Sequence, residues 1–315
     1  MNNTNIFKSL KIKDIEWIDW VYSSKNNSKK DTKGFLKQFD FHELDIEACL
    51  EENQNPRIDH YDNYVFITLH FPKYNKVTKR YYFNEMNFFL SKNRIISLRK
   101  YDENLINNLF EKYKNKKNSN SGADWDEDFK ITSAYILYEI IQLMIEKVFK
   151  FLSIFSVNLK MFEEKAFKHP SDSLVEEIMI KKRNIVSLKH MIKPSIHVLK
   201  MVELRLKKIF DDDLGVYFED LEDKIQKAFW DIERLSESIE SIEDSLKTLL
   251  SIRISHSMWV LTLLSTFLLP LTFITSFYGM NIKLPFADNS MLIHWILLVV
   301  WFFMFIFIYK LKKKV

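Results

Sequence analysis

The residues with the clearest chemical potential form a stripe in an apolar segment near the end of the chain. Spacings of three and four residues place six side chains on one face of a helix: Met258, Leu261, Ser265, Leu269, Thr272 and Ser276. Three of the six carry small hydroxyl groups. In a membrane, such a stripe suits either a helix–helix interface or a wet pore. Both interpretations are compatible with the residues alone.

The stripe lies in the first of two uncharged runs, 259–278 and 291–309, except for Met258, which directly precedes it. Residues 1–256 are rich in charge. Each run has about 20 residues, and about 20 helical residues span a hydrocarbon core of ~30 Å. Two such runs separated by so short a connection argue against buried core helices. The sequence therefore predicts two transmembrane helices in a lipid bilayer.

The flanking charges predict how these two helices are oriented. Lys310, Lys312, Lys313 and Lys314 follow the second run, whereas the connection between the runs carries only Lys283 and Asp288. The positive-inside rule then places the C-terminus in the cytoplasm, and two spans return the N-terminal part to the same side. Residues 1–10 lack a basic start followed by an apolar core, so we expect no secretory signal. Both termini are expected in the cytoplasm of a bacterial inner membrane.

Composition excludes several other classes of protein. The formal net charge of +4 gives no argument for nucleic-acid binding. Cys49 is the single cysteine, which excludes an intramolecular disulfide and a multi-thiolate metal site. Only 4 glycines occur, and no phosphate-binding glycine motif is present. Without a visible nucleophile–base pair or metal cluster, we do not expect an enzyme.

Long helices are predicted in the middle of the chain. Apolar spacing indicates one helix over 128–167, a second that begins after Ser171, and a third that runs from about Gly215 to Tyr278, on the order of 95 Å. The third helix carries heptads, with Ile225, Ile232, Ile239 and Leu246 at a, and Ala228, Leu235, Ile242 and Leu249 at d. This seam predicts packing against other copies of the chain.

The N-terminal part has the pattern of a mixed domain. A strand is predicted over 64–69 and a hairpin over 86–98 that turns at 91–93, while 115–122 resembles a linker. We therefore predict three regions. They are a cytoplasmic α+β domain over 1–123, a helical region with a long stalk over 124–256, and a two-helix transmembrane domain over 257–315.

Two short motifs resemble a known family. Pro270-Leu271-Thr272-Phe273-Ile274, followed by Tyr278-Gly279-Met280-Asn281 at the exit of the first membrane run, is similar to the hallmark of the CorA family of magnesium transporters. Weaker similarity extends to the basic stretch 181–194, to the acidic stretch 217–220 and to the hairpin 86–98. The resemblance covers most of the chain and is densest after residue 180.

The resemblance implies a homopentameric funnel that conducts a divalent cation, with no other protein partner. Gly279, Met280 and Asn281 would form an outer ring that holds the hydrated ion, and the apolar members of the stripe would constrict the pore. Mg²⁺, which sheds its water reluctantly and prefers oxygen ligands, is the expected cargo. Co²⁺, Ni²⁺ and Zn²⁺ are further candidates. The alternative for Gly279 and Asn281 is an ordinary helix C-cap, and both interpretations can hold together.

The resemblance also implies regulatory metal sites at two stalk acids, Asp220 and Asp244. In sensing members, a carboxylate after the first hairpin strand of a neighbouring subunit faces the first of these acids. Here no carboxylate occurs between His70 and Tyr82. We therefore expect weak regulation, with Asp220 as a solvated charge as the alternative. Two further functions stay open, a zinc transporter of the same fold and a membrane-anchored scaffold that conducts nothing.

Overall fold

A computed structural model describes residues 7–22, 29–51, 55–118, 131–206 and 214–280, together with 291, 294–295, 298–303 and 305–306. The chain divides into two compact units. The first comprises Met1–Lys168 and Ser173–Glu243, and the second comprises His169–Asp172 and Asp244–Val315.

The first unit contains a six-stranded sheet with the strand order β1-β2-β6-β5-β4-β3. The strands are β1 (Phe7–Ile12), β2 (Ile15–Val21), β3 (Arg57–His60), β4 (Val65–Asn75), β5 (Arg80–Ser91) and β6 (Arg94–Arg99). The pair β2 and β6 is parallel, and the other neighbours are antiparallel. The mixed topology agrees with the predicted α+β domain.

The centre of the sheet follows the sequence pattern closely. The predicted strand 64–69 is the first half of β4, and the predicted hairpin is β5–β6, where Ser91 pairs with Arg94 across a two-residue turn. Residues 65–72 of β4 are all buried, because helices cover both faces of the central strands.

Two short helices, α1 (Lys29–Leu36) and α2 (Glu43–Ala48), pack on one face of the sheet. Cys49 lies fully buried in this core, and burial raises the pKa of its thiol well above the ordinary value. The other face carries α3 (Asn104–Asn118) and α4 (Ser133–Lys168). Helix α3 reaches Asn118, so the first part of the predicted linker 115–122 is helical. The rest of that linker and the boundary predicted near Asp124 lie outside the described residues.

The three long helices have the predicted positions. Helix α4 is followed by α5 (Asp172–Leu206), which continues through Pro194, and by α6 (Gly215–Tyr278). Ion pairs join α5 to α6 in reverse order: Lys182–Glu243 at 2.8 Å, Lys189–Glu233 at 3.0 Å and Lys200–Glu222 at 4.0 Å. The two helices are therefore antiparallel.

Helix α4 runs beside α6 in the same direction. Near the start of α6, the ring centroids of Tyr138 and Tyr217 are 5.1 Å apart. Farther along both helices, Lys227 Nζ lies 5.9 Å from the centre of the Phe149 ring. Within the first unit, α4, α5 and α6 thus form an up-down-up bundle.

This bundle corrects the predicted role of the heptad seam. Ile225, Ile232 and Ile239 are each 0% exposed within one chain, and the d residues Ala228, Leu235 and Ile242 are buried as well. Neighbouring copies, which the heptads predicted as the cover, are not needed to bury these residues. Instead, α4 and α5, with 36 and 35 residues, are long enough to cover it inside the chain. The seam is therefore no evidence for an oligomer.

The second unit contains the end of α6. Arg253 Nη1 donates a hydrogen bond to the Pro170 carbonyl oxygen at 3.0 Å, which joins the α4–α5 turn to this part of α6. Within the described residues, α6 is the one helix long and apolar enough to span a membrane. In the second apolar run, the residues that the structure describes are also helical.

Candidate functional site

The predicted pore face of α6 is uncovered in the single chain. Met258, Leu261 and Leu269 are 63%, 64% and 67% exposed. The three hydroxyl-bearing members of the stripe, Ser265, Thr272 and Ser276, are exposed too. The structure thus keeps all six predicted residues on one helix and leaves every one of them accessible.

The opposite face of α6 is the covered one. Trp259, Leu263, Phe267, Ile274 and Tyr278 are half-buried, at spacings that define a second stripe. The ring centroids of Phe267 and Trp301, a residue of the second apolar run, are 5.9 Å apart. At about 100° of rotation per residue, the two stripes lie on opposite sides of the helix. Trp301 therefore contacts α6 on the side away from the predicted pore face.

The hydroxyl of Thr272 donates a hydrogen bond within its own helix. Its Oγ1 donates to the Leu268 carbonyl oxygen at 2.9 Å, within the same helix. A hydroxyl used in this way still has oxygen lone pairs that can accept hydrogen bonds. The water molecules around a cation direct their hydrogens outward, so such an oxygen can bind the hydration shell of a passing ion.

Helix α6 ends where the predicted ion-binding tripeptide begins. The Gly279 N–H donates to the Thr275 carbonyl at 3.0 Å, and the Met280 N–H donates to the Phe277 carbonyl at 3.4 Å. No described glycine has a positive φ, so Gly279 does not form a left-handed C-cap. A Cβ at this position would lie 3.2 Å from the Thr275 oxygen, so an alanine requires a small shift. Asn281 lies outside the described residues.

Asp220, the first predicted regulatory acid, has partners within its own chain. Lys224 Nζ donates to Asp220 Oδ2 at 2.5 Å, and the Tyr138 hydroxyl lies 3.5 Å from the same oxygen. Burial, and next the charge of Asp220, raise the pKa of Tyr138 to about 12. The Asp220 carboxylate is 44% exposed, which leaves it accessible, but a cation already neutralises it.

Asp244, the second predicted regulatory acid, is a surface residue. Its side chain is 81% exposed and lies 4.0 Å from Lys247 Nζ. Within the described part of the chain, no three histidine, cysteine or carboxylate side chains are close enough to share a metal ion. Neither Asp220 nor Asp244 belongs to such a group among the residues that the structure describes.

The hairpin segment that lacks a carboxylate is held in a fixed turn. Asn75 Oδ1 accepts hydrogen bonds from the Val77 and Thr78 N–H groups at 2.9 and 3.2 Å. The amide oxygen of Asn75 thus stabilises its own turn rather than facing a neighbour. A cation ligated there would compete with these bonds.

The two nearest downstream acids are also engaged. Asp102 accepts from Asn107 Nδ2 at 2.7 Å and from Arg99 Nη1 at 3.3 Å. Partial burial raises the pKa of Asp102, but the Asn107 hydrogen bond and the Arg99 charge outweigh it, so the net pKa is lower than usual. Glu103 is buried and accepts from Lys147 Nζ at 2.6 Å. Neither carboxylate is held as a partner for Asp220.

Sequence reasoning missed the two residues that contact Asp220. Lys224 could have been found, because an acid and a lysine four residues apart on a helix form a favourable pair. Tyr138 could not, since it lies on α4, 82 residues away along the chain.

The chain matches one protein family over nearly its whole length. The model of the CorA-like Mg²⁺ transporter protein family aligns with residues 13–313. The cobalt/magnesium transport protein CorA of Thermotoga maritima is 26% identical over 245 residues, which cover 78% of this chain and 68% of the relative. The putative metal ion transporter YfjQ of Bacillus subtilis is 27% identical over 271 residues, with 85% and 79% coverage.

Solved structures show the same fold. The complete CorA magnesium transporter of Methanocaldococcus jannaschii superimposes with a TM-score of 0.78 and 19% identity, over 97% of this chain and 92% of that one. The ZntB cytoplasmic domain of Vibrio parahaemolyticus gives a TM-score of 0.60 and 13% identity, over 76% and 90%. The predicted α+β domain with a long helical stalk is confirmed. Together with the family match, this shows that the chain belongs to the CorA-like family of transmembrane divalent-cation transporters.

Proposed function

We propose that this chain lines a membrane pore that conducts a hydrated divalent cation, with Mg²⁺ as the first candidate. The observation that carries the proposal is the uncovered stripe on α6. Met258, Leu261 and Leu269 are about two-thirds exposed, while Phe267 on the opposite face of the helix contacts Trp301 of the second apolar run. An apolar helix with a hydroxyl-bearing stripe that its own chain leaves open suits a pore wall.

In this proposal the ion keeps its hydration shell. The Gly279 carbonyl and the Asn281 amide would form the outer ring with Met280, and oxygen acceptors such as Thr272 Oγ1 would contact the water molecules. Mg²⁺ is suited to such a path because it gives up water reluctantly. The apolar members of the stripe would close the pore by excluding water.

A pore of this kind needs several copies of the chain, because one stripe cannot enclose a path. We propose a homopentamer in a bacterial inner membrane, with both termini in the cytoplasm. A regulatory ion at Asp220 would have to displace Lys224, and one at Asp244 would bind a strongly exposed carboxylate. Regulation by either site would therefore be weak.

The proposal also concerns which divalent cation is transported. One relative is named a cobalt/magnesium transporter, and a fold neighbour is a ZntB domain. Zn²⁺ transport by the same fold is the alternative, and Co²⁺ and Ni²⁺ are further candidates. Uptake of Mg²⁺, Zn²⁺, Co²⁺ and Ni²⁺ into proteoliposomes would rank the ions. Uptake of none of them would favour a scaffold that conducts nothing.

The stripe itself can be tested with introduced cysteines. Cys49 is the single cysteine and is buried, so it should not react with a charged thiol reagent. We expect a cationic methanethiosulfonate to block Mg²⁺ flux through Ser265→Cys. Leu264→Cys is the matched control, because Leu264 is also exposed but lies about 100° around the helix. Equal sensitivity of both variants, or none in either, would contradict the assigned pore face.

A further inference from the structure

Two lysines share one carboxylate in the first unit, away from the proposed ion path. Glu103 is 6% exposed and lies 2.6 Å from Lys147 Nζ but 3.8 Å from Lys73 Nζ. Asn84 Nδ2 also donates to Glu103, at 3.3 Å. Because Lys147 has the shorter contact, the carboxylate stabilises the Lys73 ammonium less than that of Lys147.

Lys73 combines partial burial with access from solvent. Its Nζ lies 4.1 Å from the centre of the Tyr101 ring, and its side chain is 27% exposed. Lys73 pairs with Tyr82 across β4 and β5, and the rings of Tyr82 and Tyr101 also touch. The amine therefore rests on an aromatic surface with one side open to a small reagent.

Burial and the surrounding charges change the pKa of the Lys73 amine in opposite directions. Burial lowers its pKa most, Glu103 raises it, and the Lys147 ammonium lowers it again. Smaller contributions come from Asp102, which raises the pKa, and Arg99, which lowers it. The net result is a pKa below the usual value for lysine, so more of the amine is neutral near neutral pH.

We propose that Lys73 is a preferred acylation site, with small acyl phosphates as the donors. The neutral Lys73 amine attacks the acyl carbon, and a C–N bond forms. The bond from the acyl carbon to the phosphate oxygen breaks, phosphate leaves with the electron pair, and the amine proton passes to phosphate or water. The inference is independent of ion conduction.

The size of the preference follows from two opposing trends. Each unit by which the pKa falls raises the neutral fraction about tenfold at pH values below it. For thiols, intrinsic nucleophilicity falls over the same unit by only about threefold. Acylation of the amine gains in rate wherever its own dependence is weaker than tenfold for each unit.

The fold can accept the acylated product. Glu103 keeps its contact with Lys147 when the charge of Lys73 is lost, so no buried carboxylate is left unpaired. The reaction would remove one positive charge from the β4–β5 hairpin, whose end also carries Lys76, Lys79 and Arg80. Acylation would thus lower the positive charge of this hairpin.

The test is competitive labelling of the full chain in detergent with limiting acetyl phosphate from pH 6.5 to 10. Peptide mass spectrometry, after digestion with a protease that does not cut at lysine, gives the rates at Lys73 and at exposed Lys76. We expect Lys73 to react faster than Lys76 at pH 7.5. A Lys73 rate no higher than that of Lys76 at every pH would overturn the proposal.

Two variants should change the ratio of the acylation rate at Lys73 to that at Lys76, and in opposite directions. Lys147→Met removes a like charge and frees Glu103 for Lys73, so the ratio should fall toward one. Glu103→Gln removes the favourable charge, so the ratio should rise. A shift of both variants in the same direction would also contradict the proposal. The wild-type ratio tests it even if one variant fails to fold.

Discussion

Lys224 Nζ lies 2.5 Å from Asp220 Oδ2, so a lysine of the same helix neutralises the carboxylate that the family resemblance marks for ion sensing. A closing switch needs an ion that binds the closed state more tightly than the open one. Here an arriving Mg²⁺ would first have to displace an ammonium group. In the arrangement that the resemblance implies, it would also meet a hairpin of the neighbouring subunit in which residues 71–81 include Lys73, Lys76, Lys79 and Arg80 and no carboxylate.

We therefore predict that cytoplasmic Mg²⁺ closes the proposed pore only weakly. Flux should change little across a series of internal Mg²⁺ concentrations, and Asp220→Ala should behave like the wild type. Lys224→Gln is the informative partner variant, because it frees the Asp220 carboxylate and should increase the sensitivity to Mg²⁺. Strong inhibition at millimolar Mg²⁺ that disappears in Asp220→Ala would contradict the prediction.

The heptad seam leads to a second prediction. Ile232→Asp and Ile239→Asp should destabilise the chain itself, because both side chains are fully buried in its own bundle. Each loses roughly 1.5–3 kcal/mol of apolar burial, and the buried charge adds several kcal/mol. Chemical denaturation monitored by circular dichroism measures the loss.

Ser241→Asp is the matched control for the seam, since it adds a carboxylate at an exposed position of the same helix. It should change stability by less than about 0.5 kcal/mol. If the isoleucine variants instead dissociated the oligomer and left each chain folded, the seam would lie between subunits after all.

Local patterns predicted most of the fold. The β5–β6 hairpin and the ends of α6 could be predicted because alternation, helical spacing and a polar turn are properties of short segments. The heptads predicted that the seam is buried but not what buries it. A heptad pattern specifies one face of one helix, and Phe149 of α4 or Lys189 of α5 carries no local sign that it contacts α6.

The same contrast between local spacing and long-range contacts holds for the candidate site and for the sheet. The six pore-face residues share one helix, so their spacing alone placed them together. By contrast, the buried pair of Asp19 on β2 and Arg99 on β6 lies 80 residues apart and depends on how the strands are ordered. Such long-range polar contacts leave no periodic signal in the sequence.

The pair of Asp19 and Arg99 supports a third prediction, on stability. Arg99 Nε and Nη2 contact the two carboxylate oxygens at 3.0 and 2.7 Å, and both side chains are almost fully buried. Lysine cannot reproduce this bidentate contact. Arg99→Lys should therefore lower the free energy of unfolding by about 3–5 kcal/mol, the cost of breaking a buried pair.

Arg94→Lys is the control for this prediction. Arg94 lies on the same strand and contacts Glu16 of β2 at 2.7 Å, but the two side chains are 41% and 34% exposed. An exposed pair contributes about 1 kcal/mol or less. Equal losses in the two variants, measured by urea denaturation, would show that the buried pair has no special role in the sheet.

The last prediction concerns the proposed outer ring. Asn281→Ala should abolish Mg²⁺ flux without loss of assembly, because alanine removes the amide oxygen that would accept hydrogen bonds from the hydrated ion. Asn289→Ala is the matched control, since Asn289 lies in the same connection between the two apolar runs. Flux into proteoliposomes and particle mass in detergent are the two measurements. A correctly assembled Asn281→Ala variant with near wild-type flux would remove Asn281 from the ion path. Loss of flux in both variants would point instead to the connection as a whole.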